Sequence, residues 1–524
     1  MRMLRKILNI NIEEKEQYFY IFTFILLSVS ILTNSFTDTN GFLTTDSTHF
    51  LKFAENFNLN NSFYLYSWTN SGEINFFSMW PLGYPLLVSF LSSLTNLDVF
   101  WSSKLLNILC ILIIFLIIYR KTPYGYSFIG FFFLAGSFLN IFSYTLTENL
   151  FVVGLISYAY STHNITNKSG RINVIIGFIS FVIAFSSRYI GGYLIIFNLF
   201  LILRSLRSKS PNSKYFFILF TLCGIYMCSY LYMNKHFTGF FTYPHAYLTY
   251  ESSIDIILQF TKKIFEELNF IMASVRLSSY PIFSILSSIL SAAFIFFSIF
   301  YVKKTKVREP SMDQLGNNFI NLALFYLLIV LLWRLTIWFS PFSYRILFPS
   351  SILFFIGFGY KILSRSNFNF PNIKGMYLLL VLLGSISFGY NVIYKQISFS
   401  GITYSENIEN IKGRHISLKE GDGIIFGDRH LDYLRVDLIP LKPYYLPLFS
   451  EIETINDFNL RIKKVDNKYI SIPPICEKPY KTLSGDRDLN CISLNKKIHN
   501  FDSRIIDYLK NNKDLGLHKI REIK

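Results

Sequence analysis

Asp46, in the run Thr44-Thr45-Asp46-Ser47-Thr48-His49-Phe50, is a carboxylate on a polar loop directly after the first membrane-length apolar run. A second acid, Glu148, heads a later apolar run in Tyr144-Thr145-Leu146-Thr147-Glu148-Asn149-Leu150-Phe151. A carboxylate at the mouth of a membrane helix can take a proton from a hydroxyl or bind a cation, and two of them on one side of a membrane form a candidate site for chemistry at its surface. The local sequence also admits structural roles. Asp46 precedes a helical stripe of His49, Phe50, Phe53 and Ala54 and is equally suited to capping that helix. Glu148 is equally suited to stabilising the positive end of the helix it opens.

Two arginines sharpen the picture. Arg188 follows an apolar span in Phe185-Ser186-Ser187-Arg188-Tyr189-Ile190-Gly191-Gly192, and Arg345 lies in Ser340-Pro341-Phe342-Ser343-Tyr344-Arg345-Ile346-Leu347. Arginine grips phosphate with two parallel N–H donors in a way lysine does not match. The alternative is an interfacial arginine reaching for lipid headgroups. His49, Glu73 and His245 are weaker candidates on the same polar loops. The chain has no phosphate-binding P-loop, no dinucleotide fingerprint and no serine-hydrolase elbow.

These residues must be positioned by a membrane scaffold. Of the 524 residues, 52% are hydrophobic, 18% aromatic and only 16% charged, a balance foreign to soluble domains of this length. The 56 Phe and 35 Tyr suit membrane helices with aromatic belts at their ends. The net charge of +17 sits in short loops between apolar runs, which points to membrane topology and away from nucleic acid. The first apolar run has the length of a membrane span and no small-residue cleavage site after it, so it reads as a retained helix.

About eleven spans follow from the rule that a crossing helix needs roughly 17–25 apolar residues. They fall near 18–36, 102–119, 125–143, 146–162, 172–187, 190–203, 215–233, 281–302, 318–338, 343–360 and 376–394. With the N-terminus cytoplasmic, the inner loops hold Arg120 and Lys121, then Lys168 and Arg171, then Arg204 to Lys214, then Lys303 to Arg308, then Lys361 to Lys374. Arg188 and Arg345 are the exceptions on the other side. Each basic cluster thus falls inside, as the charge rule requires. The apolar stretch 81–96 is short and starts with Pro81 and Pro85. It reads as a helix lying in the outer interface.

The outer surfaces are then the loop 37–101, the loop 234–280 and a tail from 395. The tail contains Gly423-Ile424-Ile425-Phe426-Gly427 and Tyr444-Tyr445-Leu446-Pro447 as strand candidates. A helix is expected over 501–511 and a last strand over 517–523. The fold expected is mainly α: a polytopic bundle over 1–394, with interfacial helices in its first outer loop, and a small extracytoplasmic α/β domain over 395–524. Of the 5 Cys, Cys110, Cys223 and Cys228 read as packing residues in apolar runs. Cys476 and Cys491 read as either a disulfide or two free thiols, and no spacing suits zinc.

Asp46, the segment Trp80-Pro81-Leu82-Gly83-Tyr84-Pro85 and Glu148 occur in order on one face of a polytopic chain. This arrangement resembles the membrane-embedded C-type glycosyltransferases (GT-C), in particular the bacterial protein O-mannosyltransferase and aminoarabinose-transferase group. That group carries an acid in the first outer loop, an interfacial Pro-Pro-Gly-Tyr-Pro-like helix and a Glu-Pro-Leu-like opening to a later span. Here Trp80-Pro81 stands for the double proline and Asn149 for the later proline. Arg188-Tyr189-Ile190-Gly191 resembles the group's Arg-Tyr-Thr-Gly element. Tyr344-Arg345-Ile346-Leu347-Phe348-Pro349 resembles its Arg-Tyr-Leu-Leu-Pro element, with the first two residues exchanged. The resemblance covers residues 18–394.

The resemblance implies a sugar donor on a polyprenyl phosphate, an acceptor hydroxyl on a glycan, lipid or protein, and transfer with inversion in the plasma (inner) membrane. Asp46 would be the general base. Glu148 would orient the acceptor or share a divalent metal, Mg or Mn, with Asp46. Arg345 and Arg188 would bind the donor phosphate. His49, Tyr84, Tyr189 and His245 are the remaining substrate-site candidates. The competing readings are a lipid-linked saccharide polymerase or ligase, which would favour basic residues and histidines on the outer loops, and a flippase or transporter. A transporter would show inverted repeats and helices broken near the midplane.

Overall fold

A computed structural model describes residues 12–66, 74–168, 170–242, 251–270, 281–337, 342–366, 374–394, 396, 402–425, 430–442, 467–471 and 517–519. In chain order, α1 (Ile12–Thr37) is followed by α2 (Thr45–Asn60), a hairpin of β1 (Tyr64–Tyr66) and β2 (Ile74–Phe76), and α3 (Gly83–Thr95). Then come α4 (Val99–Lys121), α5 (Tyr126–Phe131), α6 (Gly136–Ser143), α7 (Glu148–Lys168) and α8 (Arg171–Ser187). The bundle continues with α9 (Tyr193–Arg207), α10 (Ser213–Thr238), α11 (Ser253–Glu267), α12 (Pro281–Lys304), α13 (Pro310–Thr336), α14 (Tyr344–Leu363) and α15 (Lys374–Phe388). The tail adds α16 (Tyr404–Arg414), β3 (Gly423–Ile425), α17 (Leu431–Leu434), β4 (Ile439–Lys442), β5 (Lys468–Ser471) and β6 (Leu517–Lys519).

Each of the eleven expected spans reappears as helix, and the protein is an integral, multi-pass membrane bundle. Among the described residues, eight helices are long and apolar enough to cross by themselves, or nine if one bent pair counts as a single span. The differences have physical causes. The helix expected over 125–143 breaks at Ala135, which adopts an extended conformation (φ −60°, ψ 145°) just before Gly136 and Ser137, both weaker helix formers. The two halves, α5 with its 3₁₀ extension and α6, bend by 75°. Helix α7 begins with Glu148 and Asn149 and carries His163 and Asn167, so it is too polar to pass on composition alone. Helix α8 has 17 residues, at the short end for a crossing. Helix α3, at 13 residues, spans about 20 Å, well short of the roughly 30 Å hydrocarbon layer.

The chain divides into two compact units. The larger comprises Met1–Ile31, Ser78–Gly83 and Asn107–Tyr394, and the smaller comprises Leu32–Phe77, Tyr84–Leu106 and Lys395–Lys524. In the larger unit, α7 pairs with α8 and α13 with α14 as antiparallel hairpins. Helix α14 is almost wholly enclosed, while α10 and α12 turn most of their apolar surface outward, as lipid-facing helices do. Cys110 and Cys223 are buried, whereas Cys228, expected as a packing residue, is exposed. It lies on the outward-turned helix α10.

In the smaller unit, the tail forms a four-stranded sheet of order β4-β3-β5-β6, with β3 parallel to β4 and β5 and β6 antiparallel to β5. Ile411, Leu418, Ile424, Leu431 and Leu438 form its core. The expected strands at 423–427 and 517–523 are present over their described residues as β3 and β6. The expected helix over 501–511, the strand near Tyr444, and Cys476 with Cys491 lie outside the described residues.

Candidate functional site

At one end of the larger unit, three chain segments bring charges together. Glu148 is the first residue of α7 and is fully buried. Its place is fixed by the connection from α6. Asn107 on α4 donates to the carbonyls of Phe142 (2.9 Å) and Tyr144 (2.7 Å), and Asn149 donates to the Tyr144 carbonyl at 3.3 Å. These bonds satisfy carbonyls that the end of α6 leaves open. Thr147 donates its hydroxyl to Glu148 Oε2 at 3.2 Å.

The other oxygen, Oε1, receives both arginines: Arg188 through Nη1 and Arg345 through Nε. Arg188 leaves the end of α8 in extended conformation (φ −149°, ψ 129°), its N–H still bound to the Ala184 carbonyl at 3.0 Å. A 3₁₀ turn, Tyr189–Gly192, follows at once. Arg345 is the second residue of α14, after the N-cap Ser343. The carboxylate is sealed, while the side chains of Arg188 and Arg345 are 24% and 25% exposed. Two guanidiniums, each partly exposed, thus share one buried carboxylate oxygen. Tyr326 on α13 lies within electrostatic reach of Glu148 and Arg188 and donates its hydroxyl to the Ile346 carbonyl at 2.9 Å, tying α13 to the first turn of α14.

The same turn that carries Arg188 also holds the Pro-Leu-Gly segment. Tyr189 donates its hydroxyl to the Ser78 carbonyl at 2.7 Å and accepts from Asn234 Nδ2 at 2.8 Å. The Leu82 N–H donates to the Tyr230 hydroxyl at 2.8 Å. Gly83 lies so close to Ser186 that a Cβ would stand 2.7 Å from its carbonyl oxygen, a contact that only glycine permits. Tyr189, expected near substrate, therefore serves to fasten the Ser78–Gly83 segment beside Arg188.

Asp46, His49 and Tyr84 belong to the smaller unit. Thr44, and not Asp46, is the N-cap of α2: the Thr44 side chain accepts from the Ser47 N–H at 3.2 Å, and the Ser47 hydroxyl accepts from the Thr44 N–H at 2.9 Å. Asp46 stands in the first turn, partly exposed, so the capping role is taken by another residue. His49 is buried one turn further on, and burial with nearby Lys52 holds it well below its ordinary range. Tyr84 is wholly enclosed against Phe50, ring centroids 5.8 Å apart, which makes it a packing residue of that unit. His245 and Glu73 lie outside the described residues.

The residues fit a divalent cation poorly. Glu148 faces two guanidiniums that would repel it, and among the described residues no three His, Cys, Asp or Glu side chains gather into a ligand set. Sequence reading missed Arg334. It lies in the last turn of α13, fully buried, with Nη2 2.5 Å from Glu251 Oε1. The signal was present: an arginine inside an apolar run of membrane length.

No protein-family model matches the chain, and no curated protein matches its sequence. Among solved structures, it is similar to ArnT from Cupriavidus metallidurans bound to undecaprenyl phosphate, at 11% identity over 88% of this chain and 94% of that one, with a TM-score of 0.43. It is also similar to the Archaeoglobus fulgidus oligosaccharyltransferase AglB in complex with an inhibitory peptide and a dolichol-phosphate, at 11% identity over 87% of this chain and 70% of that one, with a TM-score of 0.49. The apo form of the Archaeoglobus fulgidus oligosaccharyltransferase gives 10% identity, 86% and 69% coverage and a TM-score of 0.47. None of these superpositions is tight enough to carry a residue or an activity across.

Proposed function

We propose that this chain is a membrane glycosyltransferase of the GT-C kind, moving a sugar from a polyprenyl-phosphate donor to an acceptor hydroxyl at the outer face of the membrane. The observation that carries the reading is the cluster of Glu148, Arg188 and Arg345. A buried carboxylate holds two partly exposed guanidiniums in place. Two arginines fixed side by side at helix ends are suited to an anionic headgroup whose tail lies in lipid. The ordered resemblance of Asp46, Pro81-Leu82-Gly83-Tyr84-Pro85, Glu148, Arg188 and Arg345 to the GT-C pattern supports the same reading.

In the proposed reaction the acceptor oxygen attacks the anomeric carbon of the donor. The bond from that carbon to the phosphate oxygen breaks, and polyprenyl phosphate leaves with the electron pair. The acceptor proton passes to the Asp46 carboxylate, and attack opposite the leaving group inverts the anomeric centre. Arg188 and Arg345 stabilise the charge that grows on the phosphate, the usual task of preorganised cations in group transfer. Glu148 acts through the arginines, fixing where their N–H groups point.

The test is transfer in detergent from a panel of polyprenyl-phosphate sugars to a mixed acceptor pool, with wild type and Asp46→Asn compared. Donor consumption that disappears in Asp46→Asn supports the reading and names the sugar. Intact turnover in Asp46→Asn removes Asp46 from the chemistry. Well-folded wild type that consumes no donor sinks the glycosyltransferase reading.

A further inference from the structure

The loop that precedes Asp46 is held in an unfavourable shape by residues more than 360 positions away. Between α1 and α2, Gly41 and Phe42 adopt successive left-handed conformations, φ +61° and φ +53°. An aromatic residue rarely accepts that region, and it persists only where its surroundings over-determine it. Phe42 is nonetheless buried.

Part of the restraint is local. The Asp38 carboxylate accepts the Phe42 N–H at 3.0 Å, and the Asp38 carbonyl accepts the Gly41 N–H at 2.8 Å. The buried ammonium of Lys104 lies within electrostatic reach of Asp38 and 5.0 Å from the centroid of the Phe100 ring.

The rest comes from the tail. Thr39 donates its hydroxyl to the Ile402 carbonyl at 2.7 Å, and Asn407 Nδ2 donates to the Thr39 carbonyl at 3.0 Å. Tyr404 stacks on Phe100 at 3.9 Å between centroids. The two rings wall in Gly41 so closely that a Cβ there would meet both within 2.7 Å. A capping box of Thr403 and Glu406 fixes the start of α16. Tyr404 is tied in turn to Tyr433 by a 2.8 Å hydroxyl bond. Next to Tyr433, Asp432 attracts the buried Lys52 of α2. The tail thus grips both the bent loop and the helix that carry Asp46 between them.

We propose that Asn407 and Tyr404 are positioning residues for Asp46, so that the segment after the last membrane helix completes the catalytic loop. The inference rests on the role given to Asp46 above. Asn407 and Tyr404 touch no reacting atom. They act by closing the loop 38–44 into the one shape that delivers the first turn of α2.

Two readouts on the full-length protein test it. Asn407→Leu should lower kcat at least tenfold and leave the donor KM within twofold, because donor binding is assigned to Arg188 and Arg345. In a Cys-free background, the rate at which a membrane-impermeant maleimide labels Asp46→Cys should rise severalfold when Asn407→Leu is added. If Asn407→Leu does not fold, Thr39→Val, which loses one hydroxyl bond and little shape, should move both readouts the same way by less. Unchanged kcat and unchanged labelling in a folded variant overturn the proposal, as does a loss confined to donor KM. Faster labelling together with full turnover by Asp46→Asn would leave the clamp standing and sink the catalytic reading of Asp46.

Discussion

Arg345 reaches Glu148 across 197 residues of sequence and meets the carboxylate oxygen that Arg188 also holds. Two cations on one buried anion repel each other, so the acid orients both, and each side chain stays about one quarter exposed.

Glu148→Gln tests that orientation. The amide keeps the shape, removes the charge and leaves two partly exposed guanidiniums close together without the acid between them. Removing one partner of a buried ion pair typically costs about 3–5 kcal/mol, so the variant should unfold at markedly lower temperature in detergent. Its transfer rate should fall at least a hundredfold at saturating donor. Wild-type rate and wild-type melting would mean that the arginines are held by something other than Glu148.

Arg345→Lys separates charge from geometry. Lysine supplies the same charge without the planar fork, and Arg345 meets Glu148 through its Nε. Donor KM should rise about tenfold in Arg345→Lys, equivalent to roughly 1.4 kcal/mol, and further in Arg345→Ala, while acceptor KM stays near wild type. Equal donor kinetics in all three proteins would assign Arg345 to lipid headgroups.

The apolar runs announced the bundle because lipid demands about twenty apolar residues per crossing whatever the fold, and the basic loops then ordered them. Glu148, Arg188 and Arg345 were legible for the related reason that charge at a membrane helix end needs a partner. Their mutual pairing was not legible, since nothing local in Tyr344-Arg345 says which acid lies across the bundle. The break at Ala135 was hidden inside an apolar run where periodicity carries no signal. What Tyr84 and Tyr189 touch inside the protein, Phe50 for one and the Ser78 carbonyl for the other, was equally hidden, because motif order does not specify packing partners. The tail's grip on Thr39 through Ile402 and Asn407 is a contact between residues far apart in sequence, invisible to any reading of one segment at a time.

Arg334 and Glu251 offer a test of the second loop. Arg334 is fully buried at the end of α13, and its partner, one-third exposed, stands just before Ser252, the N-cap of α11. Glu251→Ala takes the carboxylate away from a buried cation, and losing one partner of a buried pair typically costs about 3–5 kcal/mol. Arg334→Met should cost less, because the remaining Glu251 can rehydrate. The double variant Arg334→Met with Glu251→Leu should recover most of the Glu251→Ala loss. Additive losses in thermal unfolding across this set would show that the two side chains do not act as a pair.

His49 sets a pH dependence for the smaller unit. Burial, reinforced by Lys52, keeps its imidazole neutral well below the ordinary value of 6.5. Above that value both the folded and the unfolded chain carry a neutral His49, and it contributes no slope. Below it the unfolded chain gains a proton that the folded chain refuses, so stability falls as the pH falls. The loss approaches about 1.4 kcal/mol per pH unit from this one group. His49→Gln keeps a polar side chain that does not titrate. Thermal unfolding between about pH 7.5 and 5.5 should fall more steeply for wild type than for His49→Gln, with the curves converging above pH 6.5 once the constant offset of the substitution is removed. Parallel curves throughout would mean that His49 takes up its proton in the folded protein as readily as in the unfolded one.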